Sequence, residues 1–353
     1  MSKIWIRNGN IWDGEKFFSS DIYIENGVIK EISKRINATS DFVYDAKGKI
    51  VSAGFVDSHV HLRNLSNNSL GVGDWACFPF GVTCAVDAWV EQNDRTVETG
   101  LVKTLGFIGT RIERGRLCTE MVAPLIREWE EKIIGIKVCF DGRDTDARDV
   151  TPICEAVELA EKQGLKVMVH CNHSPTPMME IVKKLRKGDV LTHAYHGGQN
   201  NAAEDGFQCL QYAREKGVVI DAGFAGQIHT DFGVYRQAIE KGCAPDILST
   251  DLTLYSVFKR GGRYGLTACM NIAKQCGQEE ESIFRCVTST PAKVFEKAEE
   301  WGYLKEGRAA DIAVLAYEDD AYDLTDVSGN RVAWEKGYRC KLTIANGEVV
   351  FKD

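Results

Sequence analysis

Ile50-Val51-Ser52-Ala53-Gly54-Phe55-Val56-Asp57-Ser58-His59-Val60-His61 reads as an apolar strand that ends in two histidines one residue apart. Residues i and i+2 of a strand point to one face, so two imidazoles spaced this way can converge on one cation without a special loop. A divalent ion held there turns water into a nucleophile near neutral pH. Taken alone, the pair reads as well as a half-buried polar rim. Downstream the pattern recurs one residue at a time: Lys137 in Ile133-Ile134-Gly135-Ile136-Lys137-Val138, His170 after Lys166-Val167-Met168-Val169, His193 after Val190-Leu191-Thr192, and Asp251 after Asp246-Ile247-Leu248-Ser249-Thr250.

Around these runs the chain alternates strand and helix, as in 151–163 (helix) before the 166 strand and 206–216 (helix) before Val218-Val219-Ile220-Asp221. Such alternation implies parallel strands with helical crossovers. Strands are predicted around 54–59, 83–88, 106–109, 133–138, 166–170, 189–193, 218–222 and 246–250. That is the strand number at which a (β/α)8 TIM barrel closes, and the catalytic groups of such a barrel gather at the C-terminal strand ends, where every candidate above sits. Before the barrel, 3–50 shows short strands punctuated by Asn8-Gly9, Asp13-Gly14, Asn26-Gly27 and Lys47-Gly48, and after Trp301 strands return, with Asn346-Gly347 between two of them. The fold class is therefore α/β: a barrel over 54–301 and a small β-sandwich domain built from both termini, 1–53 and 302–353. The charge-dense loop 141–149 reads as a solvated connector.

The length of 353 residues suits one large barrel, which can reach ~250 residues, plus a small companion. A net charge of -8, from 43 basic and 51 acidic residues with no dense basic run, argues against a nucleic-acid partner. The twelve cysteines are scattered without a CxxC pair and read as reduced core residues. The start of the chain lacks a signal-peptide layout and no apolar segment approaches ~18 residues, so the expectation is a cytoplasmic protein without a membrane partner. A homo-oligomer is left open.

Four imidazoles, a carboxylate and a lysine on one face suit a zinc-type centre with nitrogen and oxygen ligands. Lysine is the odd member, since an ammonium repels a dication. Buried in a barrel mouth its pKa can fall, and the neutral amine can capture carbon dioxide as a carbamate whose two oxygens bridge two cations. Equally open are a buried Lys137 paired with Asp251 and a snorkelling side chain.

The order HxH, Lys, His, His, Asp on successive strands, the phrase 53–61, and the ending Gly302, Leu304, Gly307, Ala310-Asp311-Ile312 together resemble the amidohydrolase superfamily along essentially the whole chain. With Lys137 the match is similar to the binuclear, carbamylated-lysine branch of dihydroorotases, hydantoinases and D-aminoacylases. Gly188-Asp189-Val190-Leu191-Thr192-His193 resembles its amidohydrolase/deacetylase group. The resemblance implies two divalent ions, of the zinc type. His59, His61 and Asp251 would hold the more buried ion, His170 and His193 the more exposed one, with carbamylated Lys137 and a hydroxide bridging them. It gives Asp251 a second task, accepting the hydroxide's proton and handing it to the leaving group. The expected activity is an amidohydrolase or deacetylase cleaving an amide or ester of a small molecule.

Arg63 follows His61 by two, where dihydroorotases use an arginine to grip a carboxylate, so a carboxylate-bearing substrate is expected, with a surface arginine as the plain alternative. His173, His196 and His229 lie just past strand ends. His196 and His229 are candidate substrate contacts, although loop histidines more often stand behind ligands or face solvent. Two other readings are a cyclic amide hydrolase resembling dihydroorotase or hydantoinase, and a non-catalytic amidohydrolase-like scaffold.

Overall fold

The computed structural model describes residues 3–62, 72–91, 100–225, 228–259 and 263–353. Both ends of the chain share one sheet. It contains β1 (Lys3–Trp12), β2 (Phe17–Glu25), β3 (Val28–Ser33), β4 (Phe42–Asp45) and β5 (Ile50–Ala53) from the start of the chain. From the end it takes the strands Ile312–Thr325, Arg331–Ala345 and Glu348–Lys352, in the order third, second, first, then β5, β1, β2, β3, with β4 against β1. Two hairpins carry Asn-Gly turns with both residues at positive φ: Asn26 and Gly27 at 54° and 78°, Asn346 and Gly347 at 49° and 80°. Mirror-image turns of this kind match the right-handed strand twist. Asn8-Gly9 is not a turn as its sequence suggests. β1 runs through it on a bulge, with Asn8 at φ 59°, and a Cβ on Gly9 would sit 2.6 Å from Val51 Cγ2, so glycine there lets β5 approach.

The second sheet is parallel: β6 (Phe55–Val60), β7 (Val82–Val90), β8 (Lys103–Thr110), and, after a small hairpin of β9 (Ile112–Glu113) and β10 (Arg116–Leu117), β11 (Ile133–Cys139), β12 (Lys166–His170), β13 (Val190–Thr192) and β14 (Val219–Asp221). Segment 246–252 joins its two edges. Asp221 bridges Ile247, Val60 bridges Leu252, and Asp251 N–H donates to the His59 carbonyl at 2.8 Å. The eighth strand of the barrel is therefore made of isolated bridges, not a continuous ladder. The Asp57 carboxylate reinforces the seam by accepting from Thr250 N–H (3.1 Å) and Thr250 Oγ1–H (2.7 Å).

Val56, Cys84, Val86, Phe107, Met168, Val190, Val219 and Ile247 pack together with Phe295 and Trp301. This apolar plug comes from residues preceding the strand ends. The opposite face of the strands packs on helices such as Thr151–Gln163, whose buried Ile153, Ala156 and Ala160 follow a helical period and whose C-terminus is capped by Gly164 at φ 67°. No helix among the described residues is long and apolar enough to cross a membrane.

The final hairpin, β15 (Ile312–Thr325) and β16 (Arg331–Ala345), is long enough to leave its sheet and touch the barrel. At its tip Asp326 Oδ2 accepts from Phe232 N–H (2.7 Å), and Asn330 Nδ2 donates to Asp231 Oδ1 (3.1 Å). Asp231 itself caps the helix Phe232–Glu240 and lies two residues past His229.

Candidate metal centre

Strand alternation decides which residues reach the barrel mouth. Met168 belongs to the interior plug, so His170, two residues on, faces the same way; by the same rule Gly135, where a Cβ would lie 2.2 Å from the plug residue Phe107, leads to Lys137, Val190 to Thr192, Val219 to Asp221, and Ile247 to Ser249 and Asp251. His193 directly follows Thr192, yet it also turns inward. Its φ is +63°, and that of Asp251 is +48°. Left-handed backbone at a non-glycine residue costs about 1–3 kcal/mol, and its presence at two strand ends in one cluster is the signature of a functional constraint.

His59, His61 and Asp251 form one compact group. Asp251 Oδ1 lies 3.3 Å from His59 Nε2 and 2.9 Å from His61 Nε2. On its far side, His59 Nδ1 is 3.0 Å from Thr192 Oγ1, and that hydroxyl donates to Asp221 Oδ2 at 2.7 Å. With its proton committed to Asp221, Thr192 can only accept from His59 Nδ1–H. The Nε2 lone pair of His59 therefore points at Asp251 and at Lys137, whose Nζ is 3.0 Å away. Burial, then the nearby Lys137 charge, push the His59 pKa down to about 4. Burial likewise pulls Lys137 down to about 8. Burial would raise Asp251, but its electrostatic interaction with His59 and a hydrogen bond with His61 outweigh it and hold the carboxylate well below its ordinary value.

His170, His193 and His229 form the second group, with ring centroids 4.3 to 4.9 Å apart. The ring nitrogens His170 Nε2 and His193 Nε2 are buried without a hydrogen-bond partner among the described residues. His193 Nδ1–H donates to the Gly223 carbonyl at 2.6 Å, so its Nε2 carries a bare lone pair. A buried lone pair with no donor facing it is what a cation satisfies, and one ligand atom from each residue of either group lies within 4.8 Å of the others in that group. The donor set, imidazole nitrogens and a carboxylate, suits zinc. His229 differs. Asn172 Nδ2 donates to its Nδ1 at 2.6 Å, which leaves the proton on Nε2, 3.5 Å from Asp251 Oδ2.

Arg63 lies outside the described residues. His196 is fully buried, and its ring centroid is 6.4 Å from that of His173. The loop 141–149 is mostly exposed, as expected of a solvated connector, and departs from that reading at its first residue. Asp141 is 1% exposed, bonded by Arg143 Nε (2.9 Å) and Nη2 (2.6 Å), and 3.5 Å from His170 Nε2 without the geometry of a hydrogen bond. The reason is that its first residue still belongs to the barrel mouth, which charge density alone does not reveal. Sequence reasoning also missed Thr192, Asp221 and Asn172. Asp221 closes Val218-Val219-Ile220 by the same strand-end rule that picked out the other candidates, so its signal was present.

Known proteins line up with this architecture. A family description reading "Amidohydrolase family" matches residues 144–350. A protein named deacetylase from Enterococcus faecalis is 27% identical over 98% of this chain and 98% of its own length. A dihydroorotase from Aquifex aeolicus is 22% identical, with both chains covered completely. A solved dihydroorotase structure superposes with a TM-score of 0.86 at 24% identity over 98% of each chain, a likeness of fold.

Proposed function

Because the chain belongs to the amidohydrolase family, we propose that it is a metal-dependent hydrolase of the deacetylase or deacylase type, cleaving an amide or ester bond of a small carboxylate-bearing molecule. Members of the family use a metal centre, and the observation that carries the reading is the pair of preset lone pairs, His59 Nε2 and His193 Nε2, on either side of Asp251. His59, His61 and Asp251 would hold one ion, His170 and His193 the other, and Lys137, as a carbamate, both. When bound, two zinc-type ions supply Lewis acidity and activate water. The barrel, 54–301, carries this chemistry, and the unit of 1–53 and 302–353 supports it.

Asp251 is ionised and placed to move a proton. Oδ1 faces His59 and His61, while Oδ2 lies 3.8 Å from His193 Nε2 and 3.5 Å from His229 Nε2. As water adds to the scissile carbonyl, Asp251 takes its proton and returns it to the departing nitrogen or oxygen when the C–N or C–O bond breaks. His229, protonated on Nε2, donates to the substrate instead of binding metal. Its pKa is pushed down to about 3, first by burial and then by His170, so this donor is neutral.

A cyclic amide hydrolase is the second reading, favoured by the dihydroorotase that aligns along the whole chain. The test is a panel of N-acetyl amino acids, acetylated hydroxy acids and dihydroorotate presented to zinc-reconstituted enzyme. Deacylation is expected. Turnover of dihydroorotate alone selects the second reading, and fewer than two equivalents of metal with no hydrolysis selects a scaffold.

A further inference from the structure

The loop after β13 buries a donor that none of the described residues satisfies. His196 Nε2 has no hydrogen-bond partner among the described residues. Its Nδ1 accepts from the Gly198 backbone N–H at 3.1 Å, and a backbone amide can only donate, so the proton of the neutral ring sits on Nε2. A protonated nitrogen neither ligates a cation nor takes up a proton. The one role left to His196 Nε2–H is to give a hydrogen bond.

The neighbours indicate to what. His173 lies against Gly198, where any Cβ would run into its ring, so the two loops meet closely at this point. Arg143 spends Nε and Nη2 on Asp141, which leaves further N–H groups on a side chain that is 54% exposed. Next to it in the chain, Gly142 N–H donates to the His173 carbonyl at 2.9 Å, so the Arg143 loop meets the His173 loop as well. The Asp141 that Arg143 holds is 3.5 Å from His170 Nε2, and the His196 backbone N–H donates to the His193 carbonyl at 3.2 Å, so the Arg143 and His196 loops both adjoin the exposed half of the candidate centre. A neutral donor beside a cationic fork is a seat for an anionic oxygen.

We propose that His196 Nε2–H and Arg143 together bind the free carboxylate of the substrate, making His196 a specificity-determining residue. This rests on the hydrolase reading and narrows it: the enzyme selects acylated molecules whose scissile bond lies close to a carboxylate, and discriminates against the corresponding carboxamides.

The experiment uses full-length, zinc-loaded enzyme and two ligand sets. N-acetylalanine and N-acetylphenylalanine with their carboxamides report turnover; N-methanesulfonyl analogues of the same acids and amides, which cannot be deacylated, report binding by calorimetry. The wild type is expected to prefer acid over amide by about 10- to 100-fold, the range for a hydrogen bond to a charged group. His196→Phe and Arg143→Gln each bring that ratio near one, whereas His196→Gln, whose amide N–H reaches the same place, restores most of it. Metal content and melting temperature report folding. Should the Phe variant not fold, Arg143→Gln and the wild-type ratio decide. A wild type that binds acid and amide equally, or a ratio unmoved by the variants, overturns the proposal. So does a loss of kcat equal for acid and amide, which assigns His196 to the scissile carbonyl. Acid-selective binding without turnover leaves the carboxylate seat standing and removes the hydrolase reading instead.

Discussion

Replacing Thr192 by valine removes one hydroxyl from the interior and keeps nearly the same volume. That hydroxyl accepts from His59 Nδ1–H at 3.0 Å and donates to Asp221 Oδ2 at 2.7 Å. Without it, His59 loses the partner that fixes its tautomer, and a buried N–H left unpaired costs about 1–3 kcal/mol. Loss of such a partner behind a metal-binding histidine typically weakens metal affinity by about 10- to 100-fold. The structure narrows this range. Asp221 Oδ2 already stands 3.6 Å from His59 Nδ1, and a closure of about 0.6 Å recovers a charge-assisted bond. Asp221 stays anchored meanwhile, because Ser249 Oγ–H reaches both its oxygens at 2.7 and 2.9 Å. The expected loss is thus near the lower bound, about tenfold, and larger in the double variant Thr192→Val/Asp221→Asn, where the rescuing charge is gone. Zinc affinity is measured by competition with a chromophoric chelator, with urea unfolding of the metal-free proteins as the control. Wild-type zinc affinity in both variants would refute the assignment of His59 as a ligand oriented through Thr192.

Three further outcomes follow from the same geometry. With its pKa near 8, about a tenth of Lys137 is neutral at pH 7, so zinc reconstitution of stripped enzyme should require bicarbonate and quicken as pH rises toward 8; activity regained equally without bicarbonate excludes the carbamate, and Lys137→Met should lose more than the roughly 100-fold that outer partners cost. Burial raises Asp57 from 3.8 to about 7, an elevated acid, so its contribution to stability is complete below pH 3.8 and is lost as pH climbs through 7. Asp57→Asn can keep both bonds to Thr250 with the hydroxyl roles reversed, and urea unfolding at pH 5 and 8 should show the variant losing less stability than the wild type over that interval. Asp326→Ala leaves Phe232, Ser328 and Asn330 N–H without their acceptor, at about 1–3 kcal/mol each if they stay dry, and should speed hydrogen exchange at Phe232 and Val234 while lowering the melting temperature; protection unchanged at both amides counts against the hairpin as a clasp on the His229 loop.

The barrel was legible because its strands are buried on both faces and therefore read as short apolar runs, each ending in a polar residue with nowhere to go but the mouth. His59, Lys137, His170, His193 and Asp251 all carry that mark. So does Asp221, passed over because a single carboxylate after Ile220 looks like any other strand end until Thr192 and Ser249 are seen to hold it. Asn8-Gly9 shows the converse. The dipeptide is a strong turn signal, yet β5 lies alongside and keeps β1 running through a bulge.

What periodicity and residue type determined by themselves was the alternation of strand and helix and the polar residue that ends each strand, since both depend on local backbone geometry. Which nitrogen of each histidine bears the proton depends on atoms far away in the chain: the Gly223 carbonyl for His193, the Thr192 hydroxyl for His59, the Asn172 amide for His229, the Gly198 N–H for His196. Only tertiary structure decides that, because a ring nitrogen becomes donor or acceptor through its bonded neighbour, and these neighbours are brought together by the closing of the barrel.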